Sequence, residues 1–186
     1  MQYVALLRGI NVGGRNLLSM ADVRVCLERH AFRRVSSYIQ SGNILFESDV
    51  ADAATLTTAI QKALSAAFDH NAQVFLRSHR QLKTIVAQAP TEWTSGTGLR
   101  RNVAFLREPL TSRRALREIE PKAGVDFVKA GQGVLYLSTR MRRLKQSGFT
   151  KVVKKDIYRD MTIRNYNTCQ KILALMLAEC RSSGPV

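Results

Sequence analysis

An α+β fold made of two βαββ halves in tandem is what this sequence predicts, and three observations predict it. Tyr3-Val4-Ala5-Leu6-Leu7-Arg8 lines up with Asn102-Val103-Ala104-Phe105-Leu106-Arg107. Gly42-Asn43-Ile44-Leu45-Phe46 lines up in the same way with Gly133-Val134-Leu135-Tyr136-Leu137. Each run is apolar, of strand length and flanked by turn residues, and each half leaves room between its two runs for one helix and one more strand.

The elements follow in order. After the first strand, Ser19 and Asp22 form a capping pair, and Met20, Val23 and Leu27 repeat at helical spacing. Val35–Gln40 is the second strand and the run from Gly42 the third. A helix from Asp52 to Phe68 carries Leu56, Ile60, Leu64 and Phe68 on one face, and Gln73–Arg77 is a fourth strand. Ser78 with Gln81 is a capping box for a helix that ends before Pro90. In the second half, Leu110-Thr111 opens a short helix through Ile119 that Pro121 stops, and Val125–Ala130 is the second strand. Beyond its third strand this half is expected to depart from the first. Two short basic helices, Arg140–Gln146 and Thr150–Arg159, lead to a long closing helix from Thr162, its N-cap, to Cys180. Each half then has the first three strands of a ferredoxin-like sheet. The expected organisation is an N-terminal half over 1–90, a Gly/Ser/Thr-rich linker over 91–98 and a basic C-terminal half over 99–186.

Composition narrows the class. Hydrophobic residues at 45% and charged residues at 23% describe a chain with a packed core rather than a disordered one. No run of 18 apolar residues exists, so no membrane partner is expected. The N-terminal run reads as a strand rather than a signal peptide. Cys26, Cys169 and Cys180 lack metal or redox spacing, and a reducing cytoplasmic compartment fits them as free, core-packing thiols. The net charge of +15 is unevenly spread: residues 1–98 carry 10 Lys and Arg against 7 acids, residues 99–186 carry 19 against 7. The field that attracts a polyanion therefore belongs to the second half.

Four segments are candidates for function. Arg8 to Asn16 is the first, because the first strands are offset by 99 residues and the third strands by 91, so the first half spends about eight more residues on this connection. Gly13 and Gly14 can expose successive backbone N–H groups as an anion nest beside Arg8 and Arg15, or can simply serve a turn in which Asn11 caps its own backbone. No P-loop or dinucleotide fingerprint accompanies them. The second segment, Gln40-Ser41-Gly42-Asn43, is a hairpin turn, or presents the amides of Gln40 and Asn43 next to Arg8 and Asn11 in one polar cluster. At the third, Thr162 and Asn165 are capping residues, while Arg164 in a first helical turn opposes the helix dipole and asks for a ligand anion or a carboxylate partner. The fourth is the run Arg140, Arg142, Arg143, Lys145, Lys151, Lys154 and Lys155, with no acid until Asp156, which is a solvated face or a phosphate-contacting surface. Tyr3, Phe46, Phe105 and Tyr136 occupy strand positions comparable to the stacking residues of an RNA-binding sheet, but no RNP1-like motif is present and burial against helices explains them better.

Three motifs in order, Leu7-Arg8-Gly9-Ile10-Asn11-Val12-Gly13-Gly14, Tyr38-Ile39-Gln40-Ser41-Gly42-Asn43 and Thr162-Ile163-Arg164-Asn165-Tyr166-Asn167-Thr168, resemble the bacterial domain-of-unknown-function family 1697 over nearly the whole chain. The resemblance implies a two-part, ferredoxin-like α+β fold and no activity. At Tyr166 the family more often has tryptophan, so an aromatic packing or stacking role carries over.

His30, His70 and His79 have no metal spacing, no nucleophile elbow is present, and Asp22, Glu28 and Glu47 are isolated, so no metal or cofactor is expected and no catalytic group can be named. Two readings stand. The basic half is a binding module for nucleic acid or another polyphosphate, or the chain is a small-molecule enzyme or ligand-binding protein. The second reading holds an anionic ligand on the 8–16 loop and Gln40–Asn43, in a cleft between the halves.

Overall fold

Strand β1 (Gln2–Arg8) is an apolar run buried on both faces, as a central strand must be. The structure, a computed structural model, describes residues 1–10, 18–68, 72–95 and 98–181. The architecture is mixed α+β, with two four-stranded antiparallel sheets and no closed barrel.

In the first sheet β1 pairs with β3 (Asn43–Glu47) and β4 (Gln73–Ser78), and β2 (Arg33–Tyr38) lies outside β3, an order of β2-β3-β1-β4. Alternation along the strands sends Tyr3, Ala5, Leu7, Ile44, Phe46 and Val74 into one cluster with Val23 and Leu27 of α1 (Met20–Glu28) and Leu56, Ile60 and Leu64 of α2 (Ala53–Phe68). The side chains of Ser19 and Asp52 accept N–H bonds from Ala21 (3.2 Å) and Thr55 (2.7 Å) and start these two helices. Helix α3 (His79–Ala87) opens on a reciprocal box: Gln81 N–H donates to Ser78 Oγ (3.3 Å) and Ser78 N–H to Gln81 Oε1 (2.9 Å). Strand β2 begins at Arg33 instead of Val35, because a register shift between Arg33 and Ser36, with Arg34 at φ +50°, lets the strand start early through a bulge.

The second sheet repeats the order. Strand β5 (Leu99–Leu106) is central, β7 (Val134–Arg140) and β8 (Met161–Asn165) flank it, and β6 (Asp126–Gly131) lies outside β7. The internal alignment holds at the level of register: Val4 pairs with Leu45 and Arg77, and its counterpart Val103 pairs with Tyr136 and Arg164. Ala104, Leu106, Leu135 and Leu137 meet Ala115 of α5 (Ser112–Glu118) together with Val152 and Ile157.

Four expectations need correction here. Residues 161–165 are the fourth strand β8, and the closing helix α6 starts only at Tyr166 and runs to Arg181. Thr162 is therefore a buried strand residue and not an N-cap, and Arg164 is not in a helical turn. Five register pairs with β5 satisfy the backbone of the segment, and its Thr-Ile pair suits a pleat. Asn165 takes over the capping, its Oδ1 accepting from Asn167 N–H at 2.9 Å. The basic segment forms three 3₁₀ turns, Met141–Gln146, Gly148–Lys154 and Asp156–Asp160, in place of two helices. Like charges three and four residues apart disfavour a continuous helix there, and short turns relieve them. Residues 91–98 are not a plain linker: α4 (Glu92–Ser95) carries Trp93, which is buried. By contacts the chain divides into Met1–Leu82 with the segment from Ile172, and Lys83–Lys171, so the boundary precedes the Gly/Ser/Thr-rich stretch and residues 83–98 belong with the second sheet.

A basic groove on the second unit as the candidate site

The sequence-predicted residues fall in different places. Asn11, Gly13, Gly14 and Arg15 lie outside the described residues. Arg8, at the end of β1, donates from Nη1 to Gln73 Oε1 on β4 at 3.0 Å. Gln40 is exposed in the β2–β3 turn. Asn43 is fully buried, and its Nδ2 donates to Tyr38 O and Ser41 Oγ, both at 3.0 Å, so its amide closes the turn. Arg164 donates from Nη1 to Thr162 Oγ1 (2.9 Å) and Ile163 O (3.0 Å), and burial brings its pKa down to about 10.

The seven-cation run is not uniform. Lys155 donates to Glu118 O (2.6 Å) and pairs with Glu120 Oε1 (2.7 Å), and Lys151 pairs with Glu120 at 3.5 Å. These two lysines are therefore partnered, contrary to the expectation of an unopposed run. The hydrogen bond from Lys155 holds the Glu120 carboxyl below its ordinary pKa. Lys145 and Lys154 are exposed. Arg140, Arg142 and Arg143 are exposed too, and they gather around a groove.

This groove, of about 1070 Å³, lies wholly within the second unit, between Pro90, Glu92, Trp93, Gly98 and Leu99 on one side and the outer strand β6 with the end of β7 on the other. Its lining includes Trp93, Phe127, Lys129, Arg140, Arg142 and Arg143, and its one acid is Glu92. Alternation explains the strand residues: Val128 turns to the α5 face, so Phe127 and Lys129 point to the other face. Phe127 is 46% exposed, and the Arg140 guanidinium lies 5.4 Å from its ring centroid. A second depression of about 340 Å³ shares Leu99 with the first and is lined by Arg100 and Arg101.

Two rigid anchors hold the walls. Trp93 donates from Nε1 to Ser138 Oγ at 2.6 Å and meets the rings of Tyr136 and Tyr166 edge-on at 5.7 and 4.8 Å. Tyr136 and Tyr166 in turn donate their hydroxyls to Ile85 O (2.7 Å) and Val86 O (3.2 Å), and Arg101 donates to Trp93 O. Tyr166 is thus a packing residue. On the other wall, Asp126 is 6% exposed and accepts four hydrogen bonds: from the hydroxyls of Thr139 and Ser147 at 2.8 Å each, and from the backbone N–H groups of Lys122 (2.9 Å) and Gly148 (2.7 Å). Burial pushes its pKa up, but these bonds, that of Lys122 foremost, outweigh it and hold the carboxyl below its ordinary value. Asp126 thereby ties residues 147–148, which close the turn bearing Arg142 and Arg143, to the root of β6.

The four aromatics compared with stacking residues are all buried, at 2% exposure or less, in agreement with the burial reading. They are not equivalent, however: Tyr3 and Phe46 stand in the cluster with α1 and α2, whereas Phe105 and Tyr136 lie on the sheet face opposite α5. Sequence reasoning overlooked Trp93, Phe127, Lys129 and Arg100. A usable signal was present for the first, since a lone tryptophan inside a supposed linker contradicts a solvated segment. Phe127 and Lys129 share one strand parity, which puts an aromatic on a polar face.

Among the described residues, no group of three or more His, Cys, Asp or Glu could hold a metal ion, and no helix is long and apolar enough to cross a membrane.

Comparison with known proteins agrees with this architecture. A search of curated proteins found no match. A solved structure described as that of a conserved bacterial protein from Streptococcus pneumoniae is similar, with a TM-score of 0.80 and 26% identity, covering 93% of this chain and 97% of that one. The family model described as a protein of unknown function, DUF1697, matches residues 1–136, which takes in the first two motifs and stops short of the third, at 162–168. With almost three quarters of its length matched, the chain belongs to the DUF1697 family.

Proposed function

We propose that the protein is a binding module for a polyphosphate backbone, that of a nucleic acid or an inorganic polyphosphate, and that the groove on the second unit is the contact surface. The carrying observation is the lining of that groove, where Lys129, Arg140, Arg142 and Arg143 face a single acid, Glu92. The wider field supports it, since residues 83–171 hold 19 Lys and Arg against 7 Asp and Glu. Cations on a short turn and an outer strand suit phosphates, which are contacted without regard to sequence. On the same proposal, the scaffold is a tandem of ferredoxin-like units. The shared order of the two sheets and the shared register at Val4 and Val103 support that reading, although the second unit replaces one helix with 3₁₀ turns.

The test is fluorescence anisotropy with a labelled oligothymidine, competed by inorganic polyphosphate, across a salt series. Binding should weaken steeply with salt, and Arg142→Ala with Arg143→Ala should lower the log–log salt slope by about 1.4, roughly 0.7 per lost single-strand phosphate contact. Lys151→Ala, which removes a cation already paired with Glu120, should leave the slope unchanged. Absence of binding to either polyanion at low salt refutes the proposal.

A further inference from the structure

Within that reading, and resting on it, we infer that the ligand is single-stranded nucleic acid, with an unpaired base stacked on Phe127. Phosphate recognition alone needs cations and no aromatic ring. Yet the groove, besides its cations, contains a phenylalanine left 46% exposed on an outer strand. The other aromatics of this unit are spoken for: Phe105 and Tyr136 of the sheet and Trp93 and Tyr166 of the flanking helices are at 7% exposure or less, and Phe149 and Tyr158 are half-buried against the cluster on the α5 side. Among the described residues Phe127 is the one aromatic ring in the exposed class.

The cation beside it fits the same ligand. Arg140 lies over the Phe127 ring at 5.4 Å, so a base on the ring's free face completes a base–ring–guanidinium stack. Arg142 and Arg143 follow Arg140 directly in the chain, and Lys129 stands two residues along β6 from Phe127 on the same strand parity. Cations therefore flank the stacking ring, as a sugar–phosphate backbone flanks its bases. A second depression lies beside the groove. Leu99 lines both depressions and pairs in register with Arg140, and Arg101, two residues on and paired with Ser138, shares the face of Phe127, so the second depression adjoins the first. A compact anion fills a closed pocket of a few hundred Å³, whereas a groove of about 1070 Å³ with a second depression beside it has room for successive nucleotides. A duplex keeps its base faces inside its own stack, so it cannot use Phe127.

Trp93, the chain's one tryptophan, lines the groove and reports on its occupancy by intrinsic fluorescence. The full chain is titrated with a ten-nucleotide oligothymidine, its duplex with oligoadenine, and an inorganic polyphosphate of matching charge. The single strand should bind about tenfold more tightly than either, the range expected of one stacked base. Phe127→Ala should remove that advantage and leave polyphosphate affinity unchanged, and Phe127→Tyr should retain it. Circular dichroism checks that the exposed-site variants fold. Equal affinity for oligothymidine and polyphosphate, tighter duplex binding, or a Phe127→Ala variant that keeps the single-strand preference overturns the inference while leaving the polyphosphate site standing. Failure of all three ligands to bind removes the proposed function itself.

Discussion

Removing the Asp126 carboxylate should cost the second unit about 2–3 kcal/mol, because Asp126→Ala strands the buried Gly148 N–H at roughly 1–2 kcal/mol, leaves the half-buried Lys122 N–H at about 1 kcal/mol, and lets the two hydroxyls recover only part of their bonding. The donors are Lys122 N–H and Gly148 N–H, which have the carboxylate at 2.9 and 2.7 Å. Thr139 Oγ1 and Ser147 Oγ are 3.4 Å apart and can turn to each other once the carboxylate is gone. Asp126→Asn should cost about 1–2 kcal/mol, since the amide oxygen can face the two N–H groups while its NH₂ faces the hydroxyls. The carboxyl has a depressed pKa in the folded state. Its stabilisation is therefore fully present above the unfolded value of about 3.9 and is lost as pH falls through the folded value, and Asp126→Asn should abolish that acid-side loss. Urea unfolding followed by Trp93 fluorescence reads the second unit directly. An Asp126→Ala variant whose stability stays within about 0.5 kcal/mol of the parent, the span of an ordinary surface change, refutes the reasoning.

Two further outcomes follow from close packing. Gly42 sits at φ +74°, and a methyl group there would lie 2.5 Å from Ile10 Cδ1 and 2.9 Å from Leu7 Cβ, so Gly42→Ala should destabilise the first unit by about 2–3 kcal/mol through left-handed strain plus overpacking, read by urea denaturation. Burial raises the Cys169 thiol to about 12, against the pull of Arg164, so at pH 8 it should resist alkylation in the native state and react only with denaturant present; mass spectrometry of the Cys169 peptide reads this, and native labelling at the rate of a free thiol would contradict the burial.

Most strands and the first-half helices were legible in the residues because local signals and tertiary demands agree there. The capping pair Ser78 and Gln81 was read from a three-residue spacing and is met by two hydrogen bonds. The matched runs at 4 and 103 were read as equivalent strands, and their register partners agree. Residues 161–165 mislead because Thr, Arg and Asn resemble a helix start, while the open edge of β5 that recruits them is a property of the sheet. The basic run was legible as charge and not as a site. Which cations are neutralised depends on Glu120, twenty residues or more away in the chain, and no local pattern reports that.

Sequence alone determined the two-part repeat, the family motifs and the half that carries the positive field, because periodicity, turn residues and charge are local or additive quantities. The tertiary structure decided that Trp93 leaves its polar neighbours for a core, that Asp126 ties a 3₁₀ turn to a strand, and that Lys129, Phe127 and Arg140 share one groove with Arg142 and Arg143. Those are meetings of residues up to tens of positions apart. They are set by which strands pair and which face each side chain takes, and that is settled only when the whole sheet closes its hydrogen bonds.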